Sequence, residues 1–342
     1  MNTTHSLTKN QAKQAGKVLG NPKATQEEIS KAKPIVSEWR EAHRVVLDYY
    51  HTLLKESALH EDPDALCVSR LKRYDTIVGK LNRPRLHINL NQMHDIAGCR
   101  AIVKDNECVF AIKRDLESAL RRKKPLMVKD YIHHPKTDGY RSLHVIAQHD
   151  SKEAGLNDLY CELQIRTRLQ HEWATALETY DVICGSGLKF DRGSADETRF
   201  FALISNVFAL MEGADLVPGI PSAINDLRKE ILELNSRLGF LDRLAACSGS
   251  VSVVATNGDF SDEAYCLMCV DYEKQQTDLF IYNDDDELSA NELYMRKEEV
   301  KRSLQDVLLV KVSSLKGLQE AYPSYSMDIM DFLNRTNDFL GR

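Results

Sequence analysis

Between about Lys31 and Ala58, apolar residues recur at steps of three and four: Ile35, Trp39, Ala42, Val45, Val46, Tyr49, Leu53 and Leu54. That period predicts one face of a helix laid on a core. Residues 1–30 are polar, and Glu61-Asp62-Pro63-Asp64 breaks the helix. Beyond that break the period changes. Leu86–Leu90, Arg100–Val103, Val128–Tyr131, Ser142–Gln148 and Leu159–Ile165 read as short strands, with Cys108–Lys123 and Thr167–Tyr180 as helices. Strands mixed with helices in this order predict an α/β (α+β) unit, a mixed sheet flanked by helices.

Cys184-Gly185-Ser186-Gly187 reads as a flexible break, and Ala195–Glu212 as helix. A turn at Val217-Pro218-Gly219-Ile220-Pro221 follows, with Ser222 as the expected N-cap. Ile224, Leu227, Ile231, Leu234, Leu238 and Leu241 then form one apolar stripe, predicting a single long helix. The stripe is short for a coiled coil, so it is expected to pack on the preceding unit. Val251–Ala255, Ala264–Tyr272, Asp278–Tyr282 and Val307–Val312 read as strands, and Leu293–Leu304 and the remainder as helices. The expected division is an N-terminal helical segment (1–60), a core unit (61–190), a helical connector (191–246) and a small C-terminal α+β module (247–342).

At 43% hydrophobic and 28% charged, the 342-residue chain has a globular composition. No apolar run is long enough to span a bilayer, and the first residues lack an apolar signal core, so a cytoplasmic protein without membrane contact is expected. The net charge of −6 does not mark a nucleic-acid binder. Basic residues nevertheless cluster at Arg70, Lys72, Arg73, Lys80, Arg83 and Arg85, and again at Arg121–Lys124. The eight cysteines are scattered, as in a reducing compartment. The one CxxC, Cys266-Leu267-Met268-Cys269, lies in a strand-like run where its thiols face opposite sides, and no histidine follows His171. No zinc site is expected.

The stretch Asp130–His144, DYIHHPKTDGYRSLH, carries the most chemistry per residue. Pro135 and Asp138-Gly139 predict an exposed loop. A ring at Tyr140 beside Lys136, Arg141 and His144 suits a planar polyanion, the ring on a base and the cations on phosphate. Asp95 and Glu162 each border apolar strand residues, so both carboxylates can converge at one end of a sheet and hold Mg²⁺, which prefers oxygen ligands.

The blocks Arg70-x-Lys72 with Lys80 and Arg83, Asp95-Ile96-Ala97-Gly98-Cys99-Arg100, the Tyr140 loop, Glu162-Leu163-Gln164-Ile165-Arg166-Thr167 and His171-Glu172-Trp173-Ala174 follow one another in a set order. From about residue 40 to 190 the chain resembles the synthetase domain of the RelA/SpoT family. That family consists of pyrophosphokinases moving the β,γ-diphosphate of ATP onto a ribose 3′-hydroxyl. The resemblance implies a nucleotidyltransferase-like fold. It places Asp95 and Glu162 on Mg²⁺, with Glu162 as an alternative activator of the acceptor hydroxyl. Arg70 and Arg100 sandwich adenine, while Lys72, Lys80 and Arg83 meet the ATP phosphates. Tyr140 stacks on the acceptor base; Lys136, Arg141, His144, Gln164 and Arg166 line the acceptor side. Trp173 is expected in the core. His94-Asp95 lacks the upstream partners of a hydrolase metal cluster, so no alarmone hydrolysis is expected.

The tail carries Tyr322-Pro323-Ser324-Tyr325. A Y-x-x-Y element in a C-terminal pseudo-zinc-finger module resembles the CapRel-type fused toxin–antitoxins. The resemblance implies transfer to the 3′ CCA end of tRNA, silencing by the module through Tyr322 and Tyr325, and release by a phage protein. The alternative is a (p)ppGpp or (p)ppApp synthetase, with GDP, GTP or adenine nucleotides as acceptors and a regulatory tail. On the first reading, removing the chain from about 247 onward is expected to release toxicity.

Overall fold

The structure is a computed structural model. It describes residues 7–83, 88–121, 124, 126–153, 155–188, 193–248, 252–257, 264–283, 286–301, 305–312, 314–322 and 329–342. Eleven helices and nine strands run among the described residues in this order: α1 Lys9–Leu19, α2 Gln26–Glu61, β1 Leu66–Leu71, α3 Tyr74–Leu81, β2 Ala97–Val103, α4 Asn106–Leu120, β3 Met127–Asp130, β4 Leu143–Gln148, β5 Tyr160–Thr167, α5 Arg168–Cys184, α6 Ala195–Glu212, α7 Ile224–Leu238, α8 Phe240–Cys247, β6 Ser252–Asn257, β7 Ala264–Asp271, β8 Gln276–Asn283, α9 Glu287–Val300, β9 Gln305–Val312, α10 Leu315–Ala321 and α11 Met330–Leu340.

The strands form one mixed sheet in the order β3-β4-β5-β2-β1-β9-β7-β8-β6. β2 and β5 run parallel, while β1–β2, β3–β4 and β4–β5 are antiparallel. The C-terminal strands join the others at one bridge, Ser69 to Lys311. The expected small module therefore extends the N-terminal sheet. α2 and α4 cover one face, burying Val36, Trp39, Val46, Leu54, Val109 and Ile112 with Cys99, Leu163 and Ile165. α9 packs against β7 and β9 through Ala290 and Tyr294. α10 covers the opposite face, where Leu318, Ala321 and Tyr322 meet Val68 and Ile102.

A second helical core adjoins α5. Trp173 and Tyr180 pack there with Phe200, Phe201 and Phe208 of α6, Leu227 and Ile231 of α7, Leu244 of α8, and Phe332 and Leu333 of α11. Trp173 is a core residue, as expected, and its indole N–H donates to the Phe201 carbonyl at 2.8 Å.

Several expected elements differ. α2 starts at Gln26, where Thr25 and Glu28 form a reciprocal capping box. Its buried stripe runs through Val36, Trp39, His43, Val46, Tyr50 and Leu54, leaving Val45 (49% exposed) and Tyr49 (45%) outside it. Of the expected strand Leu86–Leu90, residues 86 and 87 lie outside the described ones, and Leu90–Gln92 is a 3-10 turn. The single helix over Ile224–Leu241 is two helices, because Gly239 takes a left-handed φ of 62°. The α7 cap is Ala223, without a side-chain bond, rather than Ser222. Cys266 packs with the α10-side core and Cys269 against the α9-side core, the opposite faces expected of a strand. No helix among the described residues is long and apolar enough to cross a membrane.

Candidate functional site

Cross-strand partners share a sheet face. The register pairs Arg70 with Gly98, Gly98 with Glu162, Arg100 with Gln164, Ile102 with Arg166, and Gln164 with His144. The alternation along each strand therefore brings Arg70, Arg100, Glu162, Gln164, Arg166 and His144 onto one face, opposite α2. These polar residues come from four strands, β1, β2, β4 and β5.

Asp95 lies just before β2, where the Lys72 N–H donates to the Ile96 carbonyl at 2.7 Å. Lys72 Nζ stands 3.0 Å from one Asp95 oxygen, and Lys80 Nζ 2.9 Å from the other. Burial disfavours charge on Asp95, but the two ammonium groups outweigh it and hold the carboxyl well below the usual range. Burial lowers the Lys72 pKa, with Asp95 opposing. Gly16 sets the height of the preceding turn: a Cβ there would stand 2.7 Å from Leu90 Cβ. α1 and the turn thus meet at backbone distance.

Glu162 anchors a second network. Its Oε1 lies 3.2 Å from His144 Nδ1, and its Oε2 accepts from Gln164 Nε2 at 2.8 Å. His144 Nε2 in turn meets the Tyr140 hydroxyl at 2.8 Å. Burial raises the Glu162 pKa and the His144 contact lowers it, leaving it below the ordinary value, while Asp95 pushes the other way. The two carboxylates thus feel each other electrostatically. Lys136 Nζ sits 4.8 Å from the centre of the Tyr140 ring and 5.0 Å from that of Tyr131.

The Tyr140 loop is less exposed than its turn residues suggest. Gly139 has φ 97°, and a Cβ there would meet Ser205 Cβ at 2.8 Å. Arg141 is buried; its Nε donates to Ser205 Oγ at 2.9 Å, and its other nitrogens reach the Ile132 and Asp215 carbonyls and Asn206. Its guanidinium therefore pins the loop to α6, rather than joining Lys136 and His144 on the expected acceptor side.

Arg100, Arg166 and His171 make a third group. Arg100 Nη1 donates to the Ala321 carbonyl at 3.3 Å, and its guanidinium carbon is 5.8 Å from the centre of the Tyr322 ring. His171 Nε2 donates to the Glu320 carbonyl at 2.8 Å. Arg100 Nε, Arg166 Nε and His171 Nδ1 are buried without a hydrogen-bond partner. Burial, with Arg100 adding to it, brings the Arg166 pKa down to about 9 and holds His171 neutral. The end of α10 thus lies over the arginine expected to clamp adenine. Tyr325 is outside the described residues. Arg70 shares the face with Arg100, and Arg83 is exposed after α3.

Among the described residues, the grouping of three potential metal ligands is His60, Glu61 and Asp115, not Asp95 and Glu162. The latter two still fit a magnesium ion chemically: they are oxygen donors near enough for Asp95 to act electrostatically on Glu162. A cation bound there would displace Lys72 and Lys80 from Asp95.

Sequence reading assigned no role to His94, Tyr131 or His171. His94 packs 4.6 Å from the Tyr160 ring and feels both Asp95 and Glu162. The ring in YIHH at Tyr131 was a visible signal. That of His171 was only its place one turn into α5.

The comparisons with known proteins fall on the same stretch. Residues 69–180 match the region found in RelA / SpoT proteins. The chain is 35% identical over 112 residues to GTP pyrophosphokinase YwaC of Bacillus subtilis (strain 168), covering 31% of this chain and 53% of that protein. It is 38% identical over 86 residues to probable GTP diphosphokinase RSH3, chloroplastic, of Arabidopsis thaliana, covering 25% of this chain and 11% of that one. The chain thus spans about half the length of the first curated relative and far less of the second. Among solved structures it is similar to small alarmone synthethase 1 from Bacillus subtilis bound to its product pppGpp (TM-score 0.40, 20% identity, 58% of this chain and 95% of that one). It is also similar to a GTP pyrophosphokinase family protein from Streptococcus pneumoniae (TM-score 0.39, 21% identity, 55% and 91%).

Proposed function

We propose that the chain is a pyrophosphokinase, held silent by its own C-terminal segment, that moves the β,γ-diphosphate of ATP onto a ribose 3′-hydroxyl. The acceptor oxygen attacks the β-phosphorus, a new O–P bond forms, the α,β-bridging bond breaks, and AMP leaves. Glu162 takes the hydroxyl proton, with His144 and Gln164 fixing its carboxylate. Arg70 and Arg100 hold adenine, Lys72, Lys80 and Arg83 hold phosphates, and Tyr140 carries the acceptor base, with Lys136 above it. Gln164 and Arg166 line the acceptor side. Asp95 would hold Mg²⁺, with Glu162 as a second ligand in the alternative to its role as base, and the ion would neutralise charge on the transferred diphosphate. The observation that carries this reading is the single sheet face on which Arg70, Arg100, Glu162 and His144 meet beside the Asp95–lysine pair.

The contact of Tyr322 and the Ala321 carbonyl with Arg100 supports silencing, because it occupies the adenine clamp. Tyr325 is the proposed second ring. With the CapRel-type resemblance, this favours the 3′ end of tRNA as acceptor, a block on translation, and a phage protein as the trigger that lifts the tail. The second reading, synthesis of (p)ppGpp or (p)ppApp, draws support from the name of one relative, a GTP pyrophosphokinase, and of another, a probable GTP diphosphokinase. Incubating Tyr322→Ala protein with γ-labelled ATP, Mg²⁺ and either deacylated tRNA, GDP, GTP or AMP decides between them. Label in tRNA alone is the expected result. Label in a nucleotide instead installs the second reading, and no transfer to any acceptor refutes both.

A further inference from the structure

α3 carries Lys80, yet it does not cap itself. Its N-cap residue, Arg73, makes no side-chain cap bond. A helix N-terminus leaves backbone N–H groups without partners, and a carboxylate there is favourable. Here the partner comes from the far end of the chain: the Tyr74 N–H donates to Glu298 Oε1 of α9 at 2.8 Å. Glu298 is only 9% exposed. Two ion pairs tie down the same corner. Asp306 of β9 pairs with Arg73, and Lys301 reaches Asp75 at 2.7 Å.

One turn earlier on α9, Tyr294 serves the other lysine. Its ring lies 4.8 Å from the guanidinium carbon of Arg40, and Arg40 Nε donates to the Lys72 carbonyl at 2.7 Å. Tyr294 and Glu298 are four residues apart, so they share one face of α9. That face lies under the mountings of both cations that hold Asp95.

We infer that α9 positions Lys72 and Lys80 through Tyr294 and Glu298, so that the C-terminal strands and α9 are required for ATP phosphate binding even though the neighbouring α10 obstructs the site. Glu298 and Tyr294 are positioning residues, since neither reaches the cleft. The inference rests on the reading of Lys72 and Lys80 as ATP ligands. It separates the C-terminal region into a support, α9 and β9, and an obstruction, the end of α10.

The test uses the full chain with Tyr322→Ala, so that the site is open, and measures affinity for a non-hydrolysable ATP analogue by calorimetry. Glu298→Ala should weaken binding several-fold, on the order of the effect of losing a helix N-cap. Glu298→Gln keeps an acceptor oxygen and should bind within about twofold of the parent, since neutral acceptors also cap helices. In turnover, KM for ATP should rise while kcat at saturation holds. Amide exchange over 74–81 should quicken while that of α4 stays unchanged. If Glu298→Ala does not fold, Asp306→Asn, which frees Arg73 from the other side, takes its place with the same readouts. Parent-like binding by Glu298→Ala beside a weakened Lys80→Ala overturns the inference alone. Parent-like binding by Lys80→Ala overturns the lysine's role and the inference with it.

Discussion

Both oxygens of Glu162 are engaged, one by a ring that also holds the Tyr140 hydroxyl. Removing its charge while keeping its shape isolates the chemistry. In the Tyr322→Ala chain, Glu162→Gln should lower labelled-diphosphate transfer by on the order of 10²–10⁴-fold, the usual range for a lost general base. Parent-like transfer would remove Glu162 from the mechanism. His43 makes a prediction of a different kind. It is 1% exposed, with Nδ1 2.7 Å from the Trp39 carbonyl. Burial pushes its pKa down to about 4, and the carbonyl contact only partly offsets this. Between pH 6.5 and about 4 the unfolded chain binds a proton that the folded chain refuses. His43 therefore costs no stability above pH 6.5, and up to ~3 kcal/mol is lost as pH falls through that window. Denaturant midpoints against pH should show this slope, and His43→Gln should flatten it. At this scale the sequence was legible where a residue's role is chemical. Asp95, just before β2, does meet Lys72, just after β1, and Lys80 of α3. Arg141 was misread because a cation on a Gly-containing loop looks free, while its partners, Ser205, Asn206 and the Asp215 carbonyl, lie in another element far along the chain.

The elements show where local pattern suffices and where it fails. α6 falls at Ala195–Glu212 as its pattern predicts, opened by Ser194 and Glu197 as a capping box. The start of α2 carried the same signal at Thr25 and Glu28, upstream of the apolar period that begins near Ile35. Proline bars a helix only through its own missing donor and its ring, and here Pro34 lies within the helix. β1 went unread because Leu66–Leu71 holds a serine and an arginine on alternating sides. One side faces α2 and the other faces α10, a partner contributed by the far end of the chain. The Gly239 break was readable, since glycine after a long stripe is a helix stop. Gly139 is the sharpest element-level test. With φ 97° and Ser205 at 2.8 Å from its would-be Cβ, Gly139→Ala should cost on the order of 1–3 kcal/mol. It should also displace Tyr140 from His144. A lowered melting temperature together with weaker acceptor binding would be seen; unchanged values for both would show the loop accommodates the methyl.

For the whole molecule, the shared sheet and the helical core revise what truncation should do. Cutting at 247 removes Ile329, Phe332, Leu333 and Leu340 from the core around α5. At about 1.5–3 kcal/mol each, that loss rivals the entire stability of a typical domain, about 5–15 kcal/mol. The truncated chain should therefore be insoluble or inactive, not more toxic as the sequence alone led one to expect. Soluble expression and growth assays check this, and a soluble, toxic truncation would refute it. Tyr322→Ala removes the ring from Arg100, together with its packing on Val68 and Ile102, and is expected to slow growth. Its ring contact with Arg100 is worth roughly 0.5–2 kcal/mol, and the tether makes that sufficient by raising the local concentration of the tail. Growth equal to the parent would count against silencing by this ring.

The place of α11 in that core also orders events during synthesis. α5, which follows β5 directly, ends at Cys184, while the helix that completes its packing begins at Met330. At about 5–20 residues per second, the ribosome needs roughly 7–30 s to bridge that gap. Tyr322 emerges just before Met330. A nascent chain would therefore carry its proposed silencer before the core around α5 closes.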